Sequence, residues 1–192
     1  MKAINKGCIL FISLLFFYTG QVSAAISTDD GATNKESLAD LGRNELNSLF
    51  AKLAAADTRE EGQSVVNKIW HRWFNTDNQT VNAMLQGVMD YRRDQNIKQA
   101  LILSDRIVAK FPAYSEGWNQ RATLFYMLGD FHASLADIEQ TLVREPRHFG
   151  ALAGRASIYV LQGEIEKARE VVKQALAFNP FLNEKGILGE AN

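Results

Sequence analysis

The chain has 192 residues, and its 21 Lys and Arg nearly balance its 22 Asp and Glu, so the formal charge is −1. Such a chain lacks the basic excess that displaces counterions from phosphates, which disfavours nucleic-acid binding. Its single cysteine, Cys8, excludes an intramolecular disulfide, so the fold must depend on its core.

Residues 1–24 have the organisation of a cleavable signal peptide. Lys2 and Lys6 precede an apolar run over positions 8–18, and the small residues at 22–24 suit signal peptidase. The run turns polar short of the ~20 apolar residues that span a bilayer, so we predict cleavage after Ala24 and a periplasmic or secreted protein. The alternative is an uncleaved segment that anchors the protein in the inner membrane. Cleavage leaves 19 basic and 22 acidic residues, a formal charge of −3.

Residues 25–36 are polar and predict a flexible leader, and two helical segments follow within 37–76. The second begins with a capping box at Thr58 and carries Trp70 and Trp73 on one face. We predict a helical hairpin that caps the exposed apolar face of the next unit. Both tryptophans are expected in the core, and an exposed aromatic binding site is the less favoured alternative.

The three prolines of the chain stand at Pro112, Pro146 and Pro180, each 34 residues from the next. Proline ends helices, so this fixed spacing predicts a repeated two-helix unit. Large, small and turn residues keep the same phase in all three units. In the middle unit they are Trp118, Ala122, Phe125, Gly129, Ser134, Ile138, Thr141 and Pro146.

The first unit departs from this pattern at its turn. It has Gln95 and Asn96 where the others have glycine followed by an acidic residue, and Ile107 where a small residue is usual. We expect altered packing there within the same fold.

The pattern resembles the tetratricopeptide repeat (TPR) family over residues 81–180, with repeats at 81–114, 115–148 and 149–182. The resemblance implies an all-α, right-handed solenoid of antiparallel helix pairs, preceded here by the hairpin of 37–76. With its signal peptide, the chain is similar to exported bacterial TPR proteins.

In TPR domains the first helix of each pair lines a concave groove, so the resemblance implies a site for a protein or peptide. The residues carried over are Asn82, Leu85, Met89, Arg92, Arg93, Glu116, Asn119, Thr123, Tyr126, Met127, Ser157, Val160 and Leu161, with Gly150 and Ala153 at equivalent positions. An ordinary solvated helix end is an equal interpretation of Arg92 and Arg93. Leu85 and Met89 stand where chaperone-tail receptors have Lys and Asn, which disfavours that class.

The sequence offers no pattern typical of catalysis, of a cofactor or of a metal. His71, His132 and His148 fall in different units, and Asp137 and Glu139 point apart on one helix. We therefore predict a non-catalytic scaffold that binds a protein or peptide in the cell envelope. An enzyme or a small-ligand receptor using the groove is less favoured.

Arg121 and Arg155 occupy the same repeat position. A basic ladder is one interpretation, but ion pairs with an acid such as Asp137 or Glu139 are favoured.

Residues 183–192 form a short C-terminal tail that can fold back on the last helix. Otherwise Val171, Leu176 and Phe178 would leave an apolar end face open. A structural protein that self-associates through this face is the alternative function.

Overall fold

The computed structural model describes residues 38–189, so the predicted signal peptide, the leader and the last three residues lie outside it. The described residues are helical, with no strand among them. The helices are α1 (Leu38–Ala54), α2 (Arg59–Phe74), α3 (Gln79–Arg93), α4 (Ile97–Lys110), α5 (Ser115–Met127), α6 (Phe131–Arg144), α7 (Phe149–Leu161), α8 (Ile165–Phe178) and a 3₁₀ helix (Asn183–Leu188). None of them is long and apolar enough to cross a membrane.

Each predicted repeat is a pair of adjacent helices, α3 with α4, α5 with α6, and α7 with α8. In the second and third repeats the turn passes through Gly129 (φ 77°) and Gly163 (φ 75°), in the left-handed region that glycine tolerates. Gln95 takes the same conformation in the first repeat, with φ 60°. The turn of the first repeat therefore has the same backbone conformation as the other two, but Gln95 is strained because its side chain disfavours the left-handed region.

The outer face of the first repeat is polar. Leu124 and Ile158 stand at one repeat position, are fully buried and pack against the preceding unit. Asp90 occupies that position in the first repeat, where it accepts a hydrogen bond from Gln86 (3.1 Å) and pairs with Arg93 (2.9 Å). This end of the stack therefore presents a hydrophilic surface of its own.

The N-terminal hairpin, α1 with α2, packs against the third repeat. Its fully buried Leu53 and Ile69 belong to one cluster with Leu152 of α7 and Val172 of α8. The prediction that it caps the first repeat is therefore wrong. The physical reason is that the polar face around Asp90 has little apolar surface to cover.

The hairpin and the tail together cover the end of the last repeat. The ring of Phe50 in α1 lies edge-on to Phe178 at 6.5 Å, and Val171 and Leu176 belong to the same cluster. Beyond α8, the Phe181 ring lies against Gly62 of α2. Among residues 38–189 the tail folds back and the alternative of an open apolar face is not found, so the basis for self-association through that face is removed.

Ion pairs link the outer helices at the repeated arginine position. Arg121 makes a bidentate pair with Asp137 (2.7 and 2.8 Å) and also bonds Asp105 (2.8 Å). Arg155 pairs with Glu139 at 2.5 Å. The prediction of a structural role for both arginines is confirmed.

Candidate partner-binding groove

The first helices of the three repeats lie on the inner side of the stack. α5 contacts both α3 and α7, whereas α4, α6 and α8 do not approach one another to the same extent. The stack therefore curves toward α3, α5 and α7, and the positions predicted to line a groove lie on its concave side.

The N-terminal hairpin occupies one half of this groove. Trp70 of α2 lies over Gly150, so close that a β-carbon there would be 2.5 Å from its Cη2 atom. Trp73 stacks on the ring of His148 at 4.0 Å with an interplanar angle of 10°. The Tyr114 hydroxyl donates to the Trp73 carbonyl at 2.6 Å. The hairpin is thus fixed across the amino-terminal halves of α5 and α7.

Both tryptophans are core residues, as predicted, but they pack elsewhere than expected. Trp73 is 4% exposed and Trp70 is partly buried, and both contact Phe149 of the third repeat. The tryptophans are therefore not available as an aromatic binding site.

A buried polar network lies beneath the hairpin, centred on the carboxylate of Glu116. This residue has no exposed surface, and it accepts hydrogen bonds from Asn119 (3.1 Å) and Gln120 (2.5 Å). Its second oxygen lies 2.8 Å from Nε2 of His148, which is also fully buried. Burial, together with the charge of Glu116, raises the pKa of the Tyr114 phenol.

The hydrogen bonds of His148 fix its tautomer. Its Nδ1 accepts from the Ala151 N–H at 3.1 Å and so caps the start of α7. Nδ1 therefore carries no proton, and Nε2 donates to Glu116. The pair resembles a general-base arrangement, but both side chains are enclosed by protein and cannot meet a substrate.

Four of the predicted groove residues make contacts within the protein instead. Asn82 bonds the Thr76 backbone at 2.7 Å, while Leu85 is 1% exposed in the core of the first repeat. Glu116 and Asn119 belong to the network beneath the hairpin. Leu85, Glu116 and Asn119 are therefore buried in the fold, contrary to the prediction that they line an open groove, while Asn82 is partly buried and bonded to Thr76.

The other half of the groove, at the carboxyl-terminal ends of the inner helices, is open. Met127 is 45% exposed, Leu161 49% and Val160 38%, and these large apolar side chains stand at neighbouring repeat positions. We call this surface the open half of the groove. Its predicted members are Met89, Arg92, Arg93, Thr123, Tyr126, Met127, Ser157, Val160 and Leu161.

The structure separates the two neighbouring arginines. Arg93 is 55% exposed and pairs with Asp90 and Asp94, like an ordinary solvated helix end. Arg92 lies inward, where its Nη1 donates to Oε1 of Gln120 at 2.8 Å. Gln120 was not predicted as a site residue, because its position does not face the groove in the family pattern.

Among residues 38–189, no group of three His, Cys, Asp or Glu side chains could hold a metal ion. His71 and His132 are exposed and lie far apart along the chain from buried His148.

Comparison with known proteins shows what the repeats are similar to. No protein-family model matches the chain. A TPR repeat-containing protein of Rhizobium etli is 35% identical over 116 residues, which are 60% of this chain and 57% of the relative. The described helix pairs are consistent with a solenoid of tetratricopeptide repeats. TPR proteins generally act as scaffolds for protein interactions and are typically non-catalytic.

Among solved structures, a mutant of the protein MamA is similar with a TM-score of 0.47 and 15% sequence identity, covering 72% of this chain and 97% of that chain. The present chain spans 57% of the length of its Rhizobium relative.

Proposed function

We propose that the protein is a non-catalytic TPR scaffold of the cell envelope that binds a segment of a partner protein in the open half of its groove. One observation carries this proposal: Met127, Val160 and Leu161 are exposed together on the concave side, whereas the amino-terminal half of the same surface is sealed by the hairpin. Contiguous exposed apolar patches mark interaction sites, which supports a binding role for these neighbouring side chains on the concave side.

The absence of catalysis is part of the proposal. The histidine–carboxylate pair beneath the hairpin, His148 with Glu116, has no exposed surface and is held by capping and amide contacts. Its geometry supports a structural role, since a general base must reach a substrate proton.

Export is the remaining part of the proposal, and it rests on the signal-like residues 1–24. Sequencing of the amino terminus of the protein purified from a native envelope fraction tests it. A terminus close to Ala25 is expected, and an intact amino terminus in the cytosolic fraction would contradict export.

Site-specific photo-crosslinking tests the groove. A photoreactive residue at Met127 should form an adduct with a defined partner in the native envelope, and Leu161→Glu should abolish that adduct. The matched control is the same photoreactive residue at Val143, which is 67% exposed on the outer helix α6. Equal adducts from Met127 and Val143 would contradict the proposal.

A further inference from the structure

Arg92 is a partly buried cation in the groove, and within residues 38–189 it has no carboxylate partner. Its guanidinium carries five N–H donors, and Nη1 donates to Gln120 at 2.8 Å. No described carboxylate forms an ion pair with it, in contrast to Arg93 beside it, which pairs with Asp90 and Asp94.

The buried carboxylate of Glu116, whose charge acts on Arg92, does not satisfy this cation. Glu116 is bonded to Asn119, Gln120 and His148, so the amide of Gln120 stands between the two charges. Burial lowers the pKa of the Arg92 guanidinium, and the attraction of Glu116 opposes this only in part. Arg92 therefore retains the capacity to bind a carboxylate that arrives from the open groove.

The polarity of the groove changes from the first repeat to the third. Arg92, Tyr126 and Val160 share one repeat position on α3, α5 and α7, so the row runs from a cation to an aliphatic side chain. Neighbouring helix axes lie about 8–10 Å apart, so Arg92 and Val160 are roughly 16–20 Å apart. An extended chain, at about 3.3 Å per residue, covers this distance in five or six residues.

We infer that the open half of the groove binds an extended protein segment with an acidic residue and a large apolar residue about five or six positions apart. The carboxylate pairs with Arg92, and the apolar side chain packs against Val160 and Leu161. This inference rests on the proposed function and adds to it the chemistry and spacing of the partner segment.

Peptide binding to the full mature chain tests the inference. The probes are fluorescent synthetic peptides with a Gly-Ser background that carry one glutamate and one phenylalanine at separations from adjacent to roughly ten residues. Fluorescence anisotropy should give the tightest binding at five or six. Replacing the glutamate by glutamine should weaken that peptide at least about tenfold, the effect of losing one charge-assisted pair.

Variants distinguish the failure of this inference from that of the proposed function. Arg92→Gln should remove the preference for glutamate over glutamine, whereas Leu161→Glu should weaken both peptides. The control Arg106→Gln changes an exposed arginine of the outer helix α4 and should change neither.

Several outcomes would overturn the inference. Suppose that Leu161→Glu weakens peptide binding, whereas neither Arg92→Gln nor the change from glutamate to glutamine alters the affinity. This result would refute the acidic partner segment but would agree with binding in the groove. Binding that ignores Leu161, or no binding at any separation, would refute both. Sedimentation showing a dimer that Leu161→Glu dissociates would make a second copy the occupant. If Arg92→Gln does not fold, the unmodified chain decides the question. It should bind the glutamate peptide more tightly than the glutamine peptide, and high salt should remove this difference in affinity.

Discussion

Gly150→Ala tests whether the hairpin lies in the groove. Alanine ordinarily stabilises a helix over glycine by about 1 kcal/mol, and an empty groove would allow that gain. Here the new β-carbon would lie 2.5 Å from Cη2 and 2.9 Å from Cζ2 of Trp70, against ordinary contact distances of about 3.5–4.0 Å. Trp70 would have to move by about 1 Å, although Trp73 and Phe149 hold its ring.

Overpacking costs about 1–3 kcal/mol, and a ring held on two sides should take the upper part of that range, about 2–3 kcal/mol. Subtracting the helix-propensity gain of about 1 kcal/mol leaves an expected net loss of about 1–2 kcal/mol. Thermal unfolding followed by circular dichroism should show Tm lowered by about 2–8 °C. In a Trp70→Leu background the same alanine should be neutral or stabilising. Gly186→Ala, where no neighbouring atom lies within 4 Å, is the control and should change Tm little. A higher Tm for Gly150→Ala alone would refute a groove filled by Trp70.

Three further changes test individual parts of the fold. Gln95→Gly should raise the free energy of unfolding by about 0.5–1 kcal/mol in urea titrations, because it relieves the left-handed strain at φ 60°; an unchanged or lower value would contradict that strain. Glu116→Gln should cost about 1–3 kcal/mol for each buried donor left unpaired, by the same titration, and a loss below about 1 kcal/mol would show that the network is dispensable. Burial and the charge of Glu116 raise the pKa of Tyr114, so the folded chain keeps a proton that the unfolded chain releases above about pH 10. The free energy of unfolding should therefore fall above that pH by up to about 1.4 kcal/mol per pH unit, and that of Tyr114→Phe should fall less steeply. Parallel curves of unfolding free energy against pH for the two proteins would contradict the prediction.

The repeats were predictable because their signal is local and periodic. Each proline, Pro112, Pro146 or Pro180, stands two residues after the last residue of α4, α6 or α8. The turns within the helix pairs fall at the same repeat position in every unit. The strain at Gln95 could also be anticipated, since glycine stands at that position in the other repeats.

The docking site of the hairpin was not predictable from its own residues. An amphipathic pattern tells that a helix has an apolar face, but not which distant surface will cover it. Two signals in the repeats did point to the answer. Asp90 stands where Leu124 and Ile158 are buried, so the first repeat needs no apolar cover. Gly150, at a groove position, leaves room for a large ring.

The arginines show the same limit in the candidate site. The sequence places Arg92 and Arg93 side by side and cannot tell which one faces water. Their roles depend on Gln120 and Asp90, which only the packed helices bring into reach.

The contact between the first and last helices also constrains how the chain can fold and evolve. Most solenoids interact only between neighbouring units, so they can fray from one end and can gain or lose a repeat. Here Arg59 of α2 bonds the Phe181 carbonyl at 3.2 Å, across 122 positions of sequence. Insertion of a fourth unit would carry the third repeat out of reach of the hairpin. The hairpin and the tail thus enclose the three described repeats, and residues 38–189 should unfold in a single cooperative transition, with slower folding than an open array of the same length.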